Sequence, residues 1–339
     1  MKLIVTIPAQ NEAPTIGDVV ANVPRDIEGV DEVEVIVVDD GSTDGTGRVA
    51  EAAGAIVVQM IGRPGLGPVW RLGMERAIRR GADLIVNLDG DGQFDSRDVA
   101  EIVKPLLAGR CDFVHCSRFA GDGPIGPMPV VKRFGNWGVT WLTNRICGTQ
   151  FTDVSCGFRA YNREAAYRLL QFGRWSYTEE CIVYLVSRGL RIEERPFKVL
   201  GERQHGESRV ASNVVYFASH LTHILLRAVR DGSPMRFFGT LALLAGGPGL
   251  IVWMFMAGWI ASSGQIQPYH GLLSIGSTLT LAGVALLALA LLADMVSRHR
   301  LIHEELLYLA RCRYYASPRP ASTADDLPDA AALADVFND

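Results

Sequence analysis

Asp89-Gly90-Asp91-Gly92-Gln93 sets two carboxylates and an amide oxygen at alternate positions on a glycine-rich turn. Hard oxygen donors at that spacing can be aimed at one Mg²⁺ or Mn²⁺, and such an ion neutralises a diphosphate. Alone, the string reads as easily as a solvated acidic turn, so its setting decides. Leu84-Ile85-Val86-Asn87-Leu88 stands before it, a short apolar run of the kind that forms a buried strand. Two more polar turns follow apolar runs in the same way: Pro8-Ala9-Gln10-Asn11-Glu12 after Leu3–Ile7, and Asp39–Thr46 after Glu34–Val38. Asp39-Asp40-Gly41-Ser42 by itself is equally a turn and helix N-cap. In a parallel open sheet, however, three such turns meet in one crevice outside the carboxyl ends of the strands.

The elements needed to build that sheet can be read along the first 120 residues. Helices are expected at Thr15–Asn22, Asp44–Ala53, Val69–Arg80 and Val99–Leu107, alternating with strands at Leu3–Ile7, Glu34–Val38, Ala55–Gln59, Leu84–Leu88 and Phe113–Ser117. Strands and helices alternating at this spacing imply βαβ units, hence an α/β fold with a mostly parallel, Rossmann-like sheet. A loop rich in proline and glycine follows at Gly121–Pro127.

The chain has 339 residues and a net charge of −4, which gives no reason to expect nucleic acid. Its six cysteines show no CxxC and read as inert thiols of a reducing compartment. The first strand starts almost at Met1, so no targeting segment is expected. After about residue 211 the composition changes. Val214–Val229 carries apolar residues at helical spacing with His220, His223 and Arg227 on its other face, the pattern of a helix lying on a membrane. Phe237–Ser262 and Gly271–Ala293 contain no charged residue, and each exceeds the about 20 residues needed to cross a bilayer. Arg227, Arg230 and Arg236 precede the first span, and Arg298, Arg300, Arg311 and Arg313 follow the second. The positive-inside rule then puts both flanks, and both termini, in the cytoplasm. The expected organisation is a catalytic domain over 1–211, an amphipathic helix over 212–235, a transmembrane hairpin over 236–296, and a cytoplasmic tail over 297–339 whose end is disordered.

Pro8–Glu12, Asp39–Thr46, Gly65-Leu66-Gly67 and Asp89–Gln93 resemble the pattern of glycosyltransferase family 2 with its GT-A fold. The resemblance continues through Ser117-Arg118-Phe119, Asp153–Arg159 and Arg203–Arg209, a series similar to the polyprenyl-phosphate sugar transferases such as the dolichol-phosphate mannose synthases. It implies that Pro8, Gln10, Glu12, Val38 and Asp40 hold the nucleoside of a nucleotide-sugar. It implies that Asp89, Gly90, Asp91, Gly92 and Gln93 form the diphosphate turn, with Asp89, Asp91 and Gln93 on Mg²⁺ or Mn²⁺. Arg203 and Arg209 would close on the donor diphosphate. Arg118 and Arg133 would face the phosphate of a polyprenyl phosphate, and with Asp91 they form the expected catalytic set. The family usually has tyrosine at Gln10 and often lysine at Arg209. Glu180 falls where the family has a glutamate on a helix. Asp153 and Arg159 would suit a structural ion pair.

The reaction so implied is inverting transfer of a hexose from GDP-mannose, UDP-glucose or UDP-N-acetylglucosamine to a polyprenyl phosphate at the cytoplasmic face of the membrane, the inner or plasma membrane in a bacterium. Lys132, Arg133, Trp137 and Trp141 would suit an acceptor helix at that boundary. A family 2 transferase with another lipid or glycan acceptor is an alternative. A processive synthase is disfavoured: Gln171-Phe172-Gly173-Arg174-Trp175 matches its QxxRW string, but here that string precedes Thr178-Glu179-Glu180, and two spans are too few for a polymer channel. A non-catalytic membrane adaptor would need a degraded Asp-x-Asp, and this one is intact. Packing through the hairpin into a homo-oligomer is compatible with the sequence.

Overall fold

A computed structural model describes residues 1–61, 65–120, 130–169, 178–199 and 234–316. Seven strands form one sheet: β1 (Lys2–Ala9), β2 (Glu32–Asp39), β3 (Ile56–Gln59), β4 (Leu84–Asn87), β5 (Phe113–Ser117), β6 (Arg159–Asn162) and β7 (Ile192–Pro196). Their order is β3-β2-β1-β4-β6-β5-β7. All pairings are parallel except those of β6, which runs antiparallel to both β4 and β5. The expected α/β sheet is present, with one reversed strand that the sequence pattern hides. Arg-Ala-Tyr-Asn is too short and too polar to announce a strand. Its reversal has a consequence for the site. Arg159 pairs with Asn87 and His115 near the carboxyl ends of β4 and β5, so the residues leading into β6 lie at the same sheet edge as the polar turns.

The two faces of β1 explain its alternation. Leu3, Val5 and Ile7 join the core formed with α1 (Ala13–Ala21) and α4 (Val99–Leu107). On the other face α3 (Leu66–Arg79) comes close enough that a Cβ on Gly73 would lie 3.3 Å from both Thr6 and Val38. The polar Asn87 is tolerated in β4 because its amide is fully used. Its oxygen accepts from Trp70 Nε1 at 2.7 Å, and its nitrogen donates to Thr6 Oγ1. The remaining helices of this unit are α2 (Thr46–Ala52), α5 (Val130–Cys147), α6 (Arg163–Arg168) and α7 (Thr178–Ser187).

Two long helices follow, α8 (Pro234–Ser263) and α9 (His270–Ala316), both apolar and long enough to cross a membrane. They cross through small residues. A Cβ on Gly283 would lie 2.6 Å from the Gly246 Cα, and one on Gly249 would lie 2.6 Å from Thr280 Oγ1. Such close backbone approach is how helices associate where there is no hydrophobic drive to join them. The described residues divide into two units. Residues 1–199 return to company with 308–316 in one, and 234–307 make the other. Arg203, Arg209, the QxxRW-like string at 171–175, the amphipathic stretch 212–233, and the chain from 317 lie outside the described residues. So do the side chains of Lys132, Glu179 and Glu180.

Candidate active site

Three polar turns are laced together at the carboxyl edge. Asn11 takes a left-handed conformation, φ 55°. From there its side-chain oxygen accepts from the Thr43 N–H at 2.9 Å, while its own N–H donates to Ser42 Oγ. The Glu12 N–H donates to Thr46 Oγ1, and the Ala13 N–H to Asp44 Oδ2. The β1 and β2 turns are therefore one hydrogen-bonded body. The β4 turn is tied in through Thr15, whose hydroxyl donates to the Gly90 carbonyl at 2.8 Å. Gly90 is closely packed: a Cβ would sit 3.3 Å from Ile7 and Ile16, and those side chains would have to give way by a few tenths of an ångström.

The two neighbouring aspartates at the end of β2 are distinguished by this structure. Asp39 is buried and committed, accepting from the Ser42 N–H and from Gln59 Nε2. Asp40 stands one residue further out, and its Oδ2 accepts from the Gly65 N–H at 3.2 Å, at the start of α3. Pro8 and Val38 lie opposite each other in the register of β1 and β2. Gln10 and Asp40 continue beyond the ends of the same strands. The expected nucleoside-side residues Pro8, Gln10, Glu12, Val38 and Asp40 are thus gathered at one strand pair.

Beside them, Asp91 Oδ1 accepts from the Gln93 N–H at 3.0 Å, which closes the turn. Gly157 backs the other carboxylate. A Cβ there would lie 2.8 Å from Asp89 Oδ2 and 3.0 Å from Oδ1. Asp89, Asp91 and Gln93, the residues expected to hold a metal, carry oxygen donors of the kind that Mg²⁺ or Mn²⁺ takes, and Gly157 leaves the Asp89 carboxylate its space. Among the described residues no three His, Cys, Asp or Glu side chains gather as a metal site, so any such ion would rest on two carboxylates and the amide.

The second half of the site is built around Arg118. Sequence reading pairs Asp153 with Arg159; the structure pairs it with Arg118 instead. Arg118 Nε and Nη2 donate to the two Asp153 oxygens at 2.6 and 2.9 Å, and Nη2 also donates to Ser155 Oγ. Arg159 is fully buried and spends its guanidinium on the carbonyls of Val154, Cys156 and Thr178. Burial would raise the Asp153 carboxyl, but the hydrogen bonds and charge of Arg118 outweigh it and hold the group below its usual value. The pair is therefore ionised, and the Nη1 edge of Arg118 carries two further N–H groups.

Residues that sequence reading missed support this pair. Glu194 on β7 accepts from the backbone N–H groups of Thr152 and Asp153 at 2.8 and 3.0 Å, and from the Thr152 hydroxyl. Ser117 Oγ meets Thr152 Oγ1 at 2.5 Å and accepts from the N–H groups of Phe119 and Ala120. Asn136 on α5 accepts from Ser155 Oγ at 2.5 Å. The bonds from Glu194, Ser117 and Asn136 to the 152–155 segment have no pattern in one sequence, because they span 19 to 42 positions. Arg133 lies exposed on the same helix. The Phe94–Val199 bridge brings the chain to the edge of the Asp89–Gln93 turn just before residue 200.

Residues 4–170 match the family model for glycosyl transferase family 2. Glycosyltransferase AglJ of Haloferax volcanii is 31% identical over 300 residues, covering 86% of this chain and 93% of its own. The chain belongs to glycosyl transferase family 2. It is a glycosyltransferase with a GT-A fold. The undecaprenyl-phosphate mannosyltransferase of Micrococcus luteus is 26% identical, over 63% of this chain and 90% of its own. Among solved structures, glucosyl-3-phosphoglycerate synthase of Mycobacterium tuberculosis, in complex with Mn²⁺, UDP-glucose and phosphoglyceric acid, superposes with a TM-score of 0.52 at 25% identity. It covers 67% of this chain and 79% of that one.

Proposed function

We propose that this glycosyltransferase moves a hexose from a nucleotide-sugar to a polyprenyl phosphate at the cytoplasmic face of a membrane, with inversion at the anomeric carbon. The observation that carries the reading is the juxtaposition at one sheet edge of the Asp89–Gln93 turn and the Arg118–Asp153 pair, joined through Gly157. The two apolar helices then make sense as the means of staying where a lipid acceptor is. The kinship with a transferase named for undecaprenyl phosphate supports the same acceptor class.

In this reading Pro8, Gln10, Glu12, Val38 and Asp40 orient the nucleoside, a carboxylate being suited to accept from ribose hydroxyls or a base N–H. Asp89, Asp91 and Gln93 would hold Mg²⁺ or Mn²⁺, whose contribution is charge neutralisation of the leaving diphosphate. Arg203 and Arg209 close over the donor. Asp153 fixes the Arg118 guanidinium so that its Nη1 edge meets the acceptor phosphate, with Arg133 as a second cation. A phosphate monoester is already nucleophilic at pH 7, so no strong base is required. Its oxygen attacks the anomeric carbon, the glycosidic C–O bond breaks, and the nucleoside diphosphate leaves. The protein contributes position and charge stabilisation. Both termini and the catalytic unit would lie in the cytoplasm. The relatives named above are a mannosyltransferase and a glucosyl-3-phosphoglycerate synthase, so one architecture serves more than one donor sugar.

Radiolabel transfer from a panel of nucleotide-sugars to polyprenyl phosphate, with detergent-purified protein and Mn²⁺ or Mg²⁺, tests this directly. Label should enter the lipid from one donor and be lost in Asp91→Ala. Nucleotide binding without transfer from any donor would sink the acceptor assignment.

A further inference from the structure

Glu194 lies on β7, the last strand of the sheet, opposite His115 in the register of β5 and on the same face as Ser117. From there its carboxylate gathers two branches that both end on Arg118. Oε1 accepts from the backbone N–H groups of Thr152 and Asp153 at 2.8 and 3.0 Å. Oε2 accepts from the Thr152 N–H and from the Thr152 hydroxyl, both at 3.0 Å. A carboxylate only accepts, so it fixes the sense of the bonds that follow. The Thr152 hydroxyl spends its proton on Glu194. The Ser117 hydroxyl, 2.5 Å from Thr152 Oγ1, must then donate to it. The Ser117 oxygen is left to accept from the N–H groups of Phe119 and Ala120 at 3.1 and 2.9 Å, which turns the chain just after Arg118. The other branch runs through Asp153. Glu194 holds its N–H, and its carboxylate takes Arg118 Nε and Nη2.

We infer that Glu194 is a positioning residue for the transfer reaction: it sets the direction in which Arg118 presents its Nη1 edge. It holds the Arg118 main chain through Thr152 and Ser117, and the Arg118 side chain through Asp153. The inference deepens the acceptor reading proposed above and rests on it for the phosphate that Arg118 meets. Two features separate this arrangement from an ordinary surface cap. Four bonds from two consecutive residues converge on one side chain that is only 14% exposed. The two branches also close on the same arginine from opposite ends, backbone and guanidinium. A planar fork fixed in this way loses little freedom when it meets a phosphate. Glutamine at 194 would have the same shape and the wrong sense. Its oxygen could still accept, but its amide N–H groups would face the Thr152 donors. The Thr152 hydroxyl would then turn its proton onto Ser117, whose oxygen already accepts twice.

The test is a double-mutant cycle on the full chain in detergent, read by label transfer. Glu194→Gln should bind GDP or UDP, whichever the parent binds, as the parent does. It should lose about tenfold or more in kcat/KM for polyprenyl phosphate. Arg118→Lys keeps a charge but not the two-pronged grip on Asp153. In that background Glu194→Gln should cost less than about twofold, because the group it positions is gone. Equal losses in both backgrounds would make Glu194 a general support of the fold and overturn the inference. Parent-like transfer by Glu194→Gln would overturn it too. Glu194→Asp keeps the accepting sense but draws it back by one methylene. Its activity should fall between those of the parent and Glu194→Gln, and it carries the same cycle if the glutamine variant does not fold. A second readout needs no acceptor. In protein labelled with ¹⁵N-arginine, the Arg118 Nε–H resonance is identified by its loss in Arg118→Lys. It should shift, and exchange faster with water, in Glu194→Gln and Glu194→Asp. An unmoved resonance overturns the inference. If the parent transfers nothing to polyprenyl phosphate, the acceptor reading fails, and this resonance still decides whether Glu194 sets Arg118.

Discussion

Gly157 shows how an absent side chain can hold a site open. The Cβ of Gly157→Ala would press on both oxygens of Asp89, and the loop that would have to yield also carries Asp153 and Ser155. In the role proposed for Asp89, beside the donor diphosphate, an ångström-scale shift of the carboxylate costs about a hundredfold in rate. Gly157→Ala should show that loss together with a weaker apparent affinity for Mn²⁺ and a nearly unchanged melting temperature. Full activity would remove Asp89 from the site. His115 presents the opposite case, a titratable ring that the site does not use. It is fully buried, stacked on Phe113 and edge-on to Phe151, and its nearest carboxylate oxygen, on Glu194, is 3.9 Å away. Burial, and then the charge of Arg159, holds its pKa at about 3, down from 6.5. The unfolded chain therefore takes up a proton on this ring below pH 6.5 that the folded chain refuses until about pH 3. Its contribution is complete above pH 6.5 and is lost as pH falls toward 3, by up to ~1.4 kcal/mol per pH unit. Denaturant titrations of His115→Phe between pH 6.5 and 4 should have a slope shallower by about one proton. An unchanged slope would show that the ring already titrates in the folded state.

Among the elements, those that advertise themselves by apolar period were legible. Val99–Leu107 and Phe113–Ser117 fall where the sequence puts them, because Val99, Ile102, Val103 and Leu106 make a plain helical stripe and β5 is buried throughout. Helix α3 begins three residues before the expected Val69, since Leu66-Gly67-Pro68 lacks periodicity, yet proline fits a first helical turn. Strand β6 and the Glu194 clamp were illegible, because both depend on pairings across the sheet. The site divides along the same line. The Asp-x-Asp and the two other turns could be read because each directly follows an apolar strand. The partner of Asp153 could not, since choosing between Arg118 and Arg159 needs three dimensions. The α8–α9 crossing was likewise visible as two apolar runs but not as a seam. Gly283→Ala places a methyl 2.6 Å from the Gly246 backbone, whereas a Cβ on Gly258 meets nothing within 4 Å. In detergent, Gly283→Ala should lower the aggregation midpoint by several degrees, and Gly258→Ala should leave it unchanged or raise it through helix propensity. Equal behaviour would mean that the seam contributes no stability.

At the scale of the whole chain, the second long helix does not end where its apolar part ends. It runs on to Ala316, through residues expected to be a tail. The signal was present in Tyr308, Arg311, Cys312 and Tyr315, one helical stripe spaced i, i+3, i+4, i+7. These residues belong to the catalytic unit. Arg311 Nη1 donates to the carbonyls of Tyr167 and Leu169, at 3.0 and 2.8 Å, where α6 ends. The Arg168 guanidinium lies 3.9 Å over the Tyr308 ring, and Tyr167 packs against Tyr315. A helix end leaves carbonyls without intrahelical partners, and here a distant arginine supplies the cap. Charged hydrogen bonds to otherwise unsatisfied carbonyls are worth about 1.5–3 kcal/mol, whereas an exposed ion pair is worth about 0–1 kcal/mol. Arg311→Met should therefore destabilise the full chain in detergent by the larger amount and speed hydrogen exchange in α6. Arg298→Met, which breaks the exposed pair with Asp294, should change neither beyond about 0.5 kcal/mol. Arg311→Lys tests the geometry, because an ammonium keeps the charge but presents a compact donor on a different stem. Its stability should fall between those of the parent and Arg311→Met. If both Arg311 variants match the parent, the chain after 307 merely touches the catalytic unit, and the catalytic unit's stability owes nothing to the helix that returns to it.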